Sequence, residues 1–138
     1  MIPTAREANV FACLAETVVA PGGGLPPLAR TDALAFLGRY LRAAPALNRA
    51  GLRALLLAVE VGPLALGYGA RLRRLDPADR VAYLQRLDRG RLAPLAQALE
   101  MVAKLAYYGD DGVMRTLGYD PDAVVERGRR LRREEARW

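Results

Sequence analysis

The side chains that could do chemistry in this sequence are one cysteine, several close carboxylate pairs, two glycine-rich stretches and a group of tyrosines. There is no His and no Ser anywhere in the chain. That excludes, within this chain, Ser–His triads, His–Cys dyads and zinc sites built on imidazole. Cys13 has no second cysteine for a disulfide and no His to activate it, so it reads as a small buried hydrophobe. The pairs Asp76/Asp79, Asp110/Asp111 and Asp120/Asp122 each fall where a helix is expected to begin. Negative charge there favours the helix dipole, so capping is the expected role rather than acid–base catalysis. The Asp110–Asp122 stretch is not a calcium loop, because no Glu stands at its twelfth position and its glycine spacing is wrong. Glu60 and Glu100 lie on or near apolar helix faces and are expected to be paired or hydrogen-bonded, with arginine partners plentiful.

The glycine stretches read as turns. Gly22-Gly23-Gly24 lacks the Lys-Ser/Thr that would hold phosphate and metal. Gly67-Tyr68-Gly69-Ala70-Arg71-Leu72 begins like G-x-G-x-x-G but ends on Leu72. Flavin or nicotinamide binding by this chain alone would need a βαβ unit, and no segment alternates with period two for long enough to be a strand.

The elements that must position these residues are helical. Val10, Phe11, Leu14 and Val18 recur at helical spacing, which predicts a helix over residues 4–20, broken by the Pro21–Pro27 stretch. Thr31-Asp32 is a fair N-cap for a second helix with Leu34, Leu37 and Leu41 inward and Phe36 and Tyr40 beside them. Pro45 opens a third helix, carrying Leu52, Leu55, Leu56 and Val59 and closed by Gly62-Pro63. Asp76-Pro77 starts a helix with Val81, Leu84 and Leu87 inward and Arg80, Gln85 and Arg86 outward. Leu92, Leu95, Leu99, Val102 and Ala106 form the longest stripe, running to Tyr108. A short piece after Gly109–Gly112 and a last helix from Asp120-Pro121 complete the chain. The expectation is one all-α domain of six or seven helices, with residues 1–125 as its body and 126–138 as a basic C-terminal helix.

Size and charge fit that reading. The 138 residues suit a single domain, and 52% apolar with 26% charged residues is globular composition. The net charge of +6 comes from 20 arginines and one lysine against 15 acidic residues. Half of it sits on Glu126–Trp138, which holds six arginines and three glutamates. Such a tail could track nucleic-acid phosphates. However, Glu126, Glu134 and Glu135 interleave with the arginines, and only Trp138 is there to stack on a base. A solvated or partner-binding arm is therefore the leading reading, a nucleic-acid-binding domain the alternative, and peripheral contact with an anionic membrane a third. No signal peptide is apparent and no twin-arginine pair precedes an apolar segment, which points to the cytoplasm or to export together with a signal-bearing partner. The most apolar run, Leu52–Gly69, is interrupted by Arg53, Glu60 and Gly62-Pro63 and does not read as a transmembrane span.

Tyrosines cluster near the end of the longest helix. Tyr107 and Tyr108 are followed by Leu117-Gly118-Tyr119-Asp120-Pro121. Tyrosines beside a rigid Gly/Pro turn make good interface anchors. A separate possibility is a carrier of apolar ligands, with a cavity among the leucine-rich helices.

Three stretches resemble the gluconate 2-dehydrogenase subunit 3 family, the small non-catalytic subunit of membrane-associated sugar dehydrogenases. They are Leu14–Pro26, similar to the family's helix leading into a Pro-Gly turn; Ala70–Gly90, similar to its Asp-Pro charged helix; and Leu105–Asp120, similar to its Tyr-containing helix end and Leu-Gly-Tyr turn. Similar helical segments precede the flavin domain in long-chain alcohol oxidases of the glucose–methanol–choline class. The resemblance implies an accessory subunit that is not itself an enzyme. It would bind and stabilise or mature a large flavoprotein oxidoreductase, with no cofactor in this chain and FAD in the partner. Tyr107, Tyr108, Leu117, Gly118, Tyr119 and Pro121 are the expected partner surface, with Arg129 and Arg130 steering association. Family members often begin with a twin-arginine export signal, and this chain departs from them there.

Overall fold

The computed structural model describes residues 3–136. Its helices are α1 (Ala5–Val19), α2 (Ala33–Ala43), α3 (Ala46–Ala65), α4 (Pro77–Asp88), α5 (Ala93–Tyr108), α6 (Asp111–Thr116) and α7 (Pro121–Glu135). Short 3-10 turns at Leu28–Arg30 and Leu72–Arg74 complete the fold. No strand occurs among the described residues, and the fold is all-α as the sequence implies. Arg137 and Trp138 lie outside the described residues.

α1 starts in a capping box. The Thr4 hydroxyl accepts the Glu7 N–H at 3.2 Å, and the Glu7 carboxylate accepts the Thr4 N–H at 2.7 Å. The helix stops at Ala20, which takes a left-handed conformation (φ 44°) before Pro21. Val10, Phe11, Leu14 and Ala15 are buried along one face. α5 packs along that face and buries Leu99, Ala103, Ala106 and Tyr107. This α1–α5 pair is the axis of the core, with α2, α3 and α4 packed around it.

Three inward faces differ from expectation. In α2, Ala33, Leu37 and Leu41 are buried while Leu34 is exposed, because the i, i+4, i+8 row turns Leu34 outward. In α4 the buried pair is Tyr83 and Leu84, and Val81 is exposed. Arg80 folds back, its guanidinium donating to the carbonyls of Leu72 (3.2 Å) and Arg73 (3.1 Å), and so fastens α4 to the second 3-10 turn. In α5, Leu92 and Leu95 are exposed, and burial begins only at Leu99.

The largest departure is in α3. Gly62-Pro63 does not close it: the helix runs through Pro63 to Ala65. A proline inside a helix has no N–H and leaves the carbonyl four residues back without its partner. Here that carbonyl belongs to Val59, and the buried Tyr83 hydroxyl donates to it at 3.2 Å. Gly62 makes the approach possible, since a Cβ at this position would collide with the Tyr83 hydroxyl. Glycine, proline and tyrosine therefore act together, and α4 is held to α3 at the weak point of its ladder. Next to them, Glu60 is fully buried and its Oε1 accepts from Arg73 Nε at 2.9 Å.

Removing that hydroxyl should leave the Val59 carbonyl buried without a donor. Tyr83→Phe is expected to cost about 1–3 kcal/mol of stability in urea unfolding. Gly62→Ala should also destabilise the chain, and the loss should shrink when position 83 is made smaller. An unchanged unfolding midpoint for Tyr83→Phe would contradict this account.

Candidate interaction surface at the end of the helical body

The expected partner residues gather where α5, α6 and α7 meet. α5 ends at Tyr108, and Asp110 begins α6 with a true side-chain cap, its Oδ1 accepting the Val113 N–H at 3.0 Å. The other oxygen of Asp110 accepts the Asp32 N–H at the start of α2, at 2.8 Å. Asp32 itself does not cap α2 with its side chain; its carboxylate lies 3.5 Å from Arg39 instead. α6 ends in a turn in which Gly118 has φ 82°, a conformation that suits glycine. Asp120 then caps α7, its Oδ1 accepting N–H groups from Asp122 (3.0 Å) and Ala123 (3.2 Å). Two of the three carboxylate pairs thus contain a working helix cap, whereas Asp76 sits at the start of α4 without a side-chain bond.

Tyr107 departs from the expected surface. It is fully buried, and its hydroxyl donates to the Pro26 carbonyl at 2.6 Å, tying the end of α5 to the Pro/Gly loop after α1. Tyr108 stands edge-on to it, with ring centroids 5.2 Å apart, and is exposed. Leu117 and Tyr119 are exposed large apolar groups, Pro121 is half-buried, and Arg129 and Arg130 are exposed.

α7 stands apart from the body. None of its residues is buried, and its main packing is against α6, aided by an Arg115–Asp122 ion pair at 3.3 Å. Val124, Val125 and Leu131 lie exposed along it. Arginines flank that strip, with Glu126 lying 3.9 Å from Arg129 and 3.7 Å from Arg133. A helix of this length is marginal in water without tertiary packing.

A second concave feature lies elsewhere. α3, α4 and α5 enclose an apolar groove of about 330 Å³. Leu55, Val59 and Leu66 of the α3 side face Leu87 of α4 and Leu95 and Leu99 of α5 across it. The signal in the sequence was the small residues Ala58, Gly62 and Ala65 at i, i+4 and i+7, which open space beside α3. The expectation of a cavity among the leucine-rich helices used Gly62 only as a helix end and did not use Ala58 or Ala65.

Cys13 is buried, and burial pushes its thiol up, with Arg80 acting in the opposite direction. Glu100 is raised by burial and by the neighbouring Asp88 carboxylate, and its cation is Lys104 at 3.8 Å rather than an arginine. The glycine stretches are turns with positive φ at Gly23, Gly24, Gly67 and Gly69, each joining helical segments. No group of three or more metal-ligating side chains is found among the described residues, and none of their helices is long and apolar enough to cross a membrane. Compared with known proteins, the chain matches no family model, no curated protein and no solved structure.

Two outcomes follow from the buried groups. Cys13 should resist a thiol reagent in the folded chain at neutral pH and react fully once urea unfolds it; fast labelling of the native chain would place it at the surface. Burial, helped by Tyr68, pushes the Tyr83 hydroxyl up to about 12. Its unfolded value is near 10. The folded state therefore keeps a proton that the unfolded state gives up. The stability from this group is complete below about pH 10 and is lost as pH rises towards 12. Urea titrations at pH 9 and pH 11 should show this fall, and Tyr83→Phe should make it shallower.

Proposed function

We propose that this chain is a non-catalytic helical accessory subunit that binds and stabilises, or helps to mature, a separate flavin-dependent dehydrogenase or oxidase. The observation that carries the reading is α7, a capped helix none of whose residues is fully buried and which presents an apolar strip flanked by arginines. Surfaces of that kind are completed by a partner. The exposed Tyr108, Leu117 and Tyr119 next to it offer apolar anchors with polar tips. The resemblance in Leu14–Pro26, Ala70–Gly90 and Leu105–Asp120 supplies the kind of partner. FAD and the redox chemistry belong to that large subunit, and this chain contributes binding surface.

Mild affinity purification of the tagged chain from its native cells should bring down a larger protein with flavin absorbance. Replacing Tyr108 and Tyr119 together by Ala should weaken that association about tenfold or more, as expected for interface anchors, without lowering the unfolding midpoint. Arg129→Glu with Arg130→Glu should slow association and reduce its dependence on salt. An eluate of this chain alone would remove the accessory reading. An eluate carrying nucleic acid, with affinity falling steeply in salt, would replace it by the nucleic-acid alternative.

A further inference from the structure

A hollow at the end of α4 takes no part in the docking surface proposed above and shares no lining residue with the apolar groove. We propose that it binds a phosphate monoester carrying a planar ring, with the phosphate on Arg86 and Arg89 and the ring against Tyr68.

The hollow has a volume of about 590 Å³ and is lined by Tyr68, Ala82, Gln85, Arg86, Arg89 and Gly90. Ala82, Gln85, Arg86 and Arg89 stand at i, i+3, i+4 and i+7, so they share one face of α4 and its C-cap. The remaining wall is Tyr68, which lies in the loop after α3. Its neighbours Gly67 and Gly69 both have positive φ, 87° and 75°. Its N–H donates to the Pro63 carbonyl at 3.0 Å, and its ring packs edge-on to Tyr83. The loop that begins like G-x-G-x-x-G therefore supplies a fixed aromatic ring rather than a backbone cradle for phosphate.

Charge selects the ligand. No acidic side chain lines the hollow. Neither Arg86 nor Arg89 pairs with a carboxylate among the described residues. Asp88, which stands between them in the chain, lies beside Glu100 with its Oδ1 buried. The end of a helix favours cations, but its dipole amounts to only about half a negative charge. Two guanidiniums exceed that need and leave the hollow positive. Arg86 is already held in place, because its Nη1 donates to the Leu66 carbonyl at 3.2 Å, and its other N–H groups are left for a ligand. Residues 71–91 carry seven arginines and three aspartates, and together with residues 126–138 they account for all of the net positive charge. Such a field raises the local concentration of anions. A carboxylate brings one charge and two oxygens. A phosphate monoester brings three oxygens and a charge of about −1.5 to −2 at pH 7, which matches two guanidinium forks. Phosphate alone would leave most of the hollow empty, and Tyr68 offers the adjoining surface to a planar ring.

The test titrates the full chain by calorimetry, at fixed ionic strength, with adenosine monophosphate, phenyl phosphate, inorganic phosphate and benzoate. Saturable one-to-one binding of at least one ring-bearing phosphate is expected, at least fivefold tighter than inorganic phosphate or benzoate; the tighter of the two tells a nucleoside from a simple aryl group. Arg86→Gln with Arg89→Gln should weaken it at least tenfold. Arg30→Gln with Arg42→Gln removes the same charge from exposed positions on other elements and should change it less than twofold. Tyr68→Leu should erase the advantage over inorganic phosphate. Arg86 and Tyr68 also make contacts within the fold, so Ala82→Glu gives an independent reading: it places an acid on the exposed lining face and should weaken binding at least tenfold with the unfolding midpoint in place. The proposal is overturned by absence of saturation, or by inorganic phosphate or benzoate binding as tightly as the ring-bearing phosphates. It is also overturned by an equal loss in the Arg30 and Arg42 variant, which would show attraction to net charge alone, or by binding that survives both Ala82→Glu and the Arg86 and Arg89 variant. None of these outcomes bears on the flavoprotein pull-down, which reads Tyr108 and Tyr119.

Discussion

The hydroxyl of Tyr83 on the carbonyl of Val59 is the bond on which the arrangement of α3 and α4 depends. A helix that contains a proline has a donor missing and a carbonyl in need of one. Burying that carbonyl without a substitute would cost as much as many whole-protein stabilising contacts return. The substitute comes from the next long helix, so the defect in α3 becomes the place where α4 docks. Gly62 gives the tyrosine ring room, and Tyr68 packs edge-on to it with centroids 5.9 Å apart. The groove beside this contact exists because the same glycine and its alanine neighbours keep the α3 wall low.

Much of the fold was legible in the sequence. Apolar spacing, Pro/Gly punctuation and aspartates before prolines give the helices their order and most of their ends. The body of the domain is read from local rules, which is why it reads well. The failures have a common cause. Leu34, Val81, Leu92 and Leu95 are apolar residues at acceptable helical spacing, yet the structure exposes them. A face of three or four leucines fixes an amphipathic stripe only to within about one residue, and tertiary contacts decide the rotation. In α4 the deciding contact is a hydrogen bond to another helix, which no periodicity can announce. The passage of α3 through Pro63 is the same kind of event: the rule that proline ends helices is local, and the exception is supplied from twenty residues downstream.

The surface was legible in part. Tyr108 and Tyr119 stand exposed, whereas Tyr107, adjacent in sequence, is core. Consecutive helical residues point about 100° apart, so two neighbouring tyrosines seldom share a fate. Nothing in the local pattern said which one would reach Pro26. The basic character of the last helix was plain from composition. Its lack of packing was not, because Val124, Val125 and Leu131 would equally have served as an inward stripe. Only the structure separates an amphipathic helix that has found its core from one that has not.

Asp110 serves two helices at once, with Oδ1 closing the start of α6 and Oδ2 holding the backbone N–H of Asp32 in front of α2, a residue 78 positions away in the chain. In mechanical terms this carboxylate is a shared rivet. A displacement of α6 reaches the first turn of α2 through this one side chain as well as through Val113, which α6 buries in the core. A change at the start of α6 therefore also reaches the end of the segment that joins α1 to α2. Stiffness gained at one extremity of the sequence is felt near the other.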